Sequence, residues 1–410
     1  MSSEYAQIQV ISRDDHTEQH LIQVPLPSTP LASSSIRVRP ALLSLIVNTL
    51  SCASHPERKI GWWDVHALPS TLQAPFNDDS KYGRIGVFGW AEVIQSTLES
   101  IPVNARIYGF LPVATLPLDL QLKSTEAPGI YREITPYRAT ATRIYNTFEV
   151  HTAAVTGYST SHALDAIAKP TFRLGYLLAR YTFDQTRCLH PASRDAEWTP
   201  ADADLTGAIV VLAAATSKTA LSFAYMVNRP DQVAKPAQVI ALTSSESASF
   251  AAATGWYSEV VTYNEAKRVA RLGTSGRKVV IIDFGARENS AQRVLDAVRE
   301  SAAKVQFLIV GGEQKKDPIK FTPEMIEAAT QNGIILVHTG MMIESAEAIL
   351  GEQGEAKLNE DYDRVWGEFK QHGFPGMKIH SGNGLEEYAS TYMKMCDGEV
   401  SADTSHVFNM

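Results

Sequence analysis

Between residues 207 and 340 the chain alternates short apolar runs with stretches whose apolar residues recur at helical spacing. The runs are "AIVVLAA" (208–214), "QVIALTS" (238–244), "EVVTY" (259–263), "KVVIIDF" (278–284), "VQFLIVG" (305–311) and "GIILVHT" (333–339). Helical stretches fall between most of them, at 217–228, 246–254, 264–272, 289–300 and 322–331. A strand that is apolar at consecutive positions is buried on both faces, so this pattern predicts a parallel sheet covered by helices on both sides.

Residues 1–150 follow a different rhythm. "AQIQVIS", "HLIQVPL", "SIRVRPALLSLIV", "KYGRIGVFGWAEVIQ" and "ARIYGFLPVATL" read as short strands, with Gly83, Gly86, Gly89 and Gly109 at turns or bulges. They predict a compact, barrel-like β domain. From Tyr137 to Phe183 the pattern reads as helical, and "ALDAIAKPTFRLGYLLARYTF" is expected to pack between domains. The tail from 355 to 410 alternates charged helix with short extended pieces. Six strands in the later rhythm fit the two mononucleotide-binding halves of a Rossmann sheet, which gives an α/β fold overall.

Composition narrows the classes of function. A chain of 410 residues with 44% hydrophobic content can bury a core for two or three domains. Its formal charge of −8 is spread without long runs of one sign, against a general nucleic-acid binder. Cys52, Cys188 and Cys396 lie far apart, which suits a reducing compartment and rules out a cysteine-rich zinc site or disulfide framework. The start "MSSEYAQIQVISRDD" meets charge before any signal-peptide core, and no stretch reaches the ~20 apolar residues needed to cross a bilayer. The expectation is a soluble, cytoplasmic protein whose partner is a small molecule, with neither nucleic acid nor membrane involved.

The join of the first apolar run to the following helix is Ala213-Ala214-Ala215-Thr216-Ser217-Lys218-Thr219. A Walker loop needs glycines where its amides turn inward on phosphate, and "AAATSKT" lacks them. A dinucleotide turn tolerates the change better, because the anion rests on the amides and dipole of the helix start. Alanine still lets strand and helix approach, and Thr216 or Ser217 can cap the helix. Lys218 in the first turn faces the positive end of the macrodipole, a position an anion would make favourable. The alternative is a solvated lysine on an ordinary turn. The second strand ends in Thr243, Ser244 and Ser245, where an NAD-preferring site carries an acid. Hydroxyls there leave room for a 2′-phosphate and favour NADPH, with Lys218 as a possible cation for it. Glu246 becomes the diol ligand if the register shifts by one residue.

Taken together, the chain resembles the medium-chain dehydrogenase/reductase superfamily. The phrases are "ATGWYSEVVTYNE", "VVIIDFGA", "FLIVGG" and "VNARIYGFLP", with "SKTA", "YGRIGVFGWAEV" and "LTSSES" resembling a little-characterised branch named only as a domain of unknown function. The resemblance implies a GroES-like catalytic domain over 1–160, completed by 330–410, around a Rossmann nucleotide-binding domain over 161–329. It implies NADPH (NADP) as cofactor, held by Ala215, Thr216, Ser217, Lys218, Thr219, Thr243, Ser244, Ser245, Tyr263, Asp283, Gly311 and Gly312. The absent G-x-G-x-x-G departs from the main superfamily. Relatives are often dimers, so a homodimer through 305–339 is expected.

Metal-dependent members hold zinc with Cys and His, but here His66 lacks the Gly-His-Glu phrase and no cysteine-rich lobe is present. A Cys52/His55/His66 site is the weaker reading and no metal is expected. The resemblance then points to quinone-reductase-like and enoyl-reductase-like enzymes, which deliver hydride to an activated alkene or ketone of a small to medium apolar substrate. Without a Lewis acid, hydrogen-bond donors must meet the developing oxyanion. Tyr145, Tyr108, Asn48 and Asn146 are the candidates, each with a packing or turn role as the alternative. Trp62, Trp63 and Trp90 are candidates to line the cleft or to pack in the core. A second functional reading is a redox-inactive relative acting as an isomerase or cyclase.

Overall fold

The computed structural model describes residues 4–54, 62–152, 157–313 and 323–410. Strands fill the first part of the chain: β1 (Tyr5–Ser12), β2 (Gln19–Pro25), β3 (Ser35–Leu45), β4 (Tyr82–Gly83), β5 (Gly86–Ser96), β6 (Arg106–Pro112), β7 (Leu118–Ser124), β8 (Ile130–Glu133) and β9 (Thr147–His151), with helix α1 (Val47–Ala53) after β3. β1 is flanked by β2 and β4 in a small antiparallel sheet. The larger sheet runs β3-β5-β6-β9-β8-β7 and closes when β7 pairs back onto the first half of β3, Ser35–Val38. Ile36, Val38, Val87, Ile107 and Leu120 belong to the buried cluster of this barrel. The GroES-like closed barrel is therefore formed as the strand pattern predicts.

One reading in this region is corrected. The segment from Tyr137 to Phe183 is not uniformly helical, because it contains β9, which pairs with both β6 and β8 and completes the barrel wall. Its sequence "TFEVH" is too short and too polar to show strand alternation above the flanking helical signal. Helix α2 (Thr160–Leu177) starts only after it.

Next come α3 (Pro200–Ala203), β10 (Ile209–Ala213), α4 (Lys218–Asn228), β11 (Gln238–Thr243), α5 (Ala248–Ala253), β12 (Glu259–Thr262), β13 (Lys278–Phe284), α6 (Ser290–Val298), β14 (Lys304–Gly311), α7 (Pro323–Gln331) and β15 (Ile334–Leu336). The sheet is parallel throughout, in the order β12-β11-β10-β13-β14-β15. Ile209 and Val211 face one buried cluster and Val210 and Leu212 the other, so alternate side chains enter separate layers. The helical stretch after β12, Tyr263–Arg271, is a 3-10 helix rather than an α-helix.

The tail adds α8 (Thr339–Leu350), α9 (Gly354–Lys370), β16 (Lys378–Asn383), α10 (Gly384–Cys396) and β17 (Thr404–Asn409). β17 returns to the barrel sheet, antiparallel to the second half of β3, with His406 opposite Leu45 and Asn409 opposite Leu42. α2 lies across α4, and a Cβ on Gly175 would meet Phe223 N and Ser222 Cβ at 2.7 Å, so only glycine permits this crossing without displacement. One apolar cluster runs from Phe88, Trp90 and Tyr108 of the barrel, through α2, to Val210 and Val280 of the parallel sheet. Barrel and sheet thus share a core, and no described helix is long and apolar enough to cross a membrane.

Candidate functional site

At the carboxyl end of β10 the chain passes through Ala214, Ala215, Thr216 and Ser217 into α4. Strand order reverses here, between β10 and β13, which is where open parallel sheets leave a crevice for ligands. Ala214 has φ 56°, a left-handed conformation that glycine adopts more readily. The turn is held regardless: Ser217 N–H donates to Ala214 O at 2.9 Å, and Ala215 N–H to Leu242 O at 3.2 Å. The Tyr257 hydroxyl donates to Ala215 O at 2.6 Å. Of the two cap candidates Ser217 serves, its Oγ accepting from Ala220 N–H at 3.2 Å. That leaves the amides of Lys218 and Thr219 at the head of the helix, where the helical ladder supplies no carbonyl.

Lys218 is half-buried. Burial pulls its ammonium down to about 8, partly opposed by the Asp403 carboxylate. His406, on β17, is kept neutral by burial, then by His380 and Lys218, and neither of its buried ring nitrogens has a hydrogen-bond partner. The titratable neighbours of Lys218 therefore lie on the returning tail.

The end of β11 is a separate cluster. Thr243 is buried, the Ser244 hydroxyl bonds to Ser247 Oγ at 3.1 Å, and the Ser245 hydroxyl donates to Glu246 Oε1 at 3.1 Å. Glu246 is fully exposed, and its carboxyl is lowered by its own backbone N–H, by those two hydroxyls and by the charge of Arg287. Arg287 also acts on Tyr263, whose hydroxyl burial raises to about 12. Asp283 accepts from Gly285 N–H at 2.9 Å and Ala286 N–H at 2.8 Å, so its carboxylate shapes the turn after β13. Gly285 has φ 106°, and a Cβ there would strike Gly312 O, which brings the predicted Asp283 and Gly311-Gly312 phrases together. Sequence reading missed Arg287, an exposed arginine three residues beyond β13 with no motif to mark it.

The catalytic candidates separate into two pairs. Tyr145 packs on Phe110 with centroids 4.6 Å apart, and its hydroxyl lies against Cys52 and the Trp62 indole. Burial first, then Cys52, pushes that hydroxyl far above its ordinary value, so it remains a proton donor. Cys52 donates to Asn48 Oδ1 at 3.8 Å, which places Asn48 beside the same group. Tyr108 instead donates to Asp165 O at 3.0 Å in the shared core. Asn146 is occupied on both sides of its amide, accepting from Arg138 Nε and donating to Arg138 O, each at 3.0 Å. Trp63 and Trp90 are core residues donating to Cys52 O and His162 O, while Trp62 faces Tyr145 edge-on.

Below Phe110 lies a buried group of which sequence reading singles out only His66, as a weaker candidate for zinc. His66 stacks on Phe110 at 5.8 Å, and its imidazole is held well below the usual range by burial and by Arg138 and Arg84. Two guanidinia beside His66 would repel a divalent cation, so this residue does not suit the zinc reading. His55, its proposed companion, lies outside the described residues. Among the described residues no group of three or more His, Cys, Asp or Glu side chains is placed to hold a metal ion. Glu133 and Asn146, which hold Arg138, also line a cavity of about 420 Å³ closed on its far side by His338, Met341 and Glu344.

A closed barrel that β17 rejoins, beside a parallel sheet of order 3-2-1-4-5-6, is the fold this chain shares with the solved structures named below. The chain belongs to the family described as "Protein of unknown function (DUF2855)", whose model matches residues 43–401. No curated protein matches it. Similar solved structures include CurA in complex with NADPH from Vibrio vulnificus, 14% identical over 98% of this chain and 99% of that one, with a TM-score of 0.55. The CurF ER cyclopropanase from the curacin A biosynthetic pathway is 11% identical over 100% of both chains, with a TM-score of 0.56. A mutant form of enoyl thioester reductase from Candida tropicalis is 11% identical over 99% of this chain and 100% of that one, at 0.53.

Proposed function

We propose that this protein is an NADPH-dependent oxidoreductase that reduces an activated alkene or ketone of a small to medium apolar substrate, without a catalytic metal. The observation that carries the reading is the start of α4. A capped helix N-terminus at the strand-order reversal presents free amides beside Lys218, a half-buried cation with no ion pair among the described residues. Helix dipole and ammonium together suit an anion such as a pyrophosphate. The likeness in fold to an NADPH complex supports the same choice of ligand.

When bound, the nicotinamide supplies hydride. The chain's own residues do the rest. Ser217, Lys218 and Thr219 hold the pyrophosphate, and Arg287 with the Ser244 and Ser245 hydroxyls receives the 2′-phosphate. Tyr145 and Asn48 orient the substrate's carbonyl oxygen, and Tyr145 keeps its proton at neutral pH, donating a hydrogen bond as charge grows there. Phe88 and Phe110, stacked around Tyr145, exclude water from that oxygen. Titration with NADPH and NADH, followed by nucleotide fluorescence, tests the reading. Saturable binding, tighter for NADPH, is expected. Failure of both to bind at millimolar concentration would discard the redox reading in favour of an isomerase or cyclase.

A further inference from the structure

Arg138, His66 and Arg84 are 1%, 2% and 5% exposed, although two of the three are permanent cations. Arg138 is matched: Glu133 Oε2 lies 3.3 Å from its Nε, Asn146 Oδ1 accepts from the same nitrogen, and Tyr145 O accepts from Nη2 at 2.8 Å. Arg84 is not. Its only hydrogen-bond acceptor among the described residues is Ala67 O, 3.3 Å from Nη1, and no carboxylate pairs with it. Arg84 Nε, Arg138 Nη1 and both ring nitrogens of His66 are buried without hydrogen-bond partners among the described residues.

The three side chains gather around Phe110: His66 stacks on it, Arg84 donates to the carbonyl of Ala67 next to His66, and Arg138 donates to the carbonyl of Tyr145, which packs on Phe110. Both guanidinia also act electrostatically on His66 and on the Tyr137 hydroxyl. The surroundings are otherwise apolar, with Phe110 under the imidazole and Phe148 at 5.7 Å from the Arg138 guanidinium. A buried cation without a counter-charge is costly, and so is each buried N–H left without an acceptor. A ligand with one negative charge and several acceptor lone pairs in a plane offsets the unmatched charge and meets the unpartnered N–H groups together. That is a carboxylate, which accepts from two guanidinia and one imidazole N–H at once. A phosphate dianion would bring twice the charge that Arg84 leaves unmatched.

We propose that His66, Arg84 and Arg138 bind the carboxylate of the substrate, so that the substrate is a small unsaturated or oxo carboxylic acid. This rests on the oxidoreductase reading for what happens to the acid, but not for its binding. The acid's apolar part lies against Phe110 and Tyr145, which places its reducible carbon beside the Tyr145 hydroxyl. Glu133 and Asn146, which hold Arg138, also line the cavity beside it, and that cavity is the proposed route of entry.

The test is calorimetric titration of the full chain with acetate, crotonate and benzoate, each compared with its amide. At least one acid should bind about tenfold more tightly than its amide, since charge-assisted hydrogen bonds distinguish them. Arg84→Met should weaken that acid by about tenfold or more while melting no lower than the parent, because it removes an unmatched buried cation. His66→Phe keeps the stacking on Phe110 and should lose part of the same preference, which provides a second readout should Arg84→Met not fold. Acids binding no better than amides, or acid binding that survives both substitutions, would overturn the proposal. NADPH affinity, measured on the same variants, should be unchanged. A protein that binds acids but no nucleotide would refute the oxidoreductase reading and leave the carboxylate site standing.

Discussion

Lys218 combines a buried charge with a helix start, and both predict how it responds to substitution. Its electrostatic neighbours, Asp403 and His406, lie on the returning tail rather than at Ser244 and Ser245, so the proposed function gives it the pyrophosphate and not the 2′-phosphate. Lys218→Ala should therefore weaken NADPH and NADH together, by roughly ten- to a hundredfold, from loss of a charge-assisted contact. Arg287→Ala should weaken NADPH alone; equal losses for both nucleotides would remove Arg287 from the 2′-phosphate site. The acidity of Lys218 adds a pH dependence. Its folded value of about 8 lies below the ordinary 10.5, so between those limits the unfolded chain holds the extra proton. Stability without ligand should then rise as pH increases through this window, and Lys218→Met should flatten the rise relative to the parent. Subtracting the two curves removes the parallel contribution of Lys278, also lowered to about 8 by burial. An anion raises the lysine again, so NADPH affinity should fall above pH 8 by up to about tenfold per unit. Calorimetry in buffers of different ionisation enthalpy should detect the proton taken up.

Single elements explain what the sequence could disclose. The six strands after residue 207 were legible because parallel strands buried on both faces read as unbroken apolar runs, and the helices between them keep a 3.6-residue period. β9 was not legible, because five residues with a glutamate and a histidine hold their place through pairing with β6 and β8, not through pattern. The site was less legible than the fold. Ser217 and Lys218 stood out because a turn motif frames them, whereas Arg84 and Arg287 acquire meaning only from neighbours distant in sequence. Tyr145 and Asn48 meet beside Cys52, while Tyr108 and Asn146 are taken up by Asp165 O and Arg138. The α2–α4 crossing gives an element-scale prediction. Gly175→Ala gains about 1 kcal/mol in helix propensity but must separate two helices in contact, at about 1–3 kcal/mol. Net destabilisation in urea is expected, and a stabilised variant would show that the crossing relaxes freely.

At the scale of the whole molecule, we propose that the chain works as two lobes. Residues 1–160 with the tail from 330 form one and 161–329 the other, with β15 of the tail pairing onto the parallel sheet. β17 is where the tail rejoins the barrel. Val407 and Phe408 are buried in it, each contributing about 1.5–3 kcal/mol in addition to the ladder to β3. Truncation after Ser401 should therefore lower the thermal midpoint by many degrees and weaken nucleotide binding, since Asp403 and His406, the neighbours of Lys218, leave with the strand. A truncated chain that melts like the parent would show that the barrel does not depend on its last strand.

The position of β17 also sets a schedule for synthesis. The first half of β3 finds β7 early, but Leu42–Leu45 wait for His406–Asn409, which are made roughly 360 residues later. At roughly 5–20 residues per second, the ribosome leaves that apolar edge without its partner for about 20–70 s. The parallel sheet, encoded in one uninterrupted stretch, is complete well before. The nascent protein therefore carries a finished parallel-sheet lobe beside an open barrel, and during that interval its exposed edge is expected to be the part most in need of a chaperone.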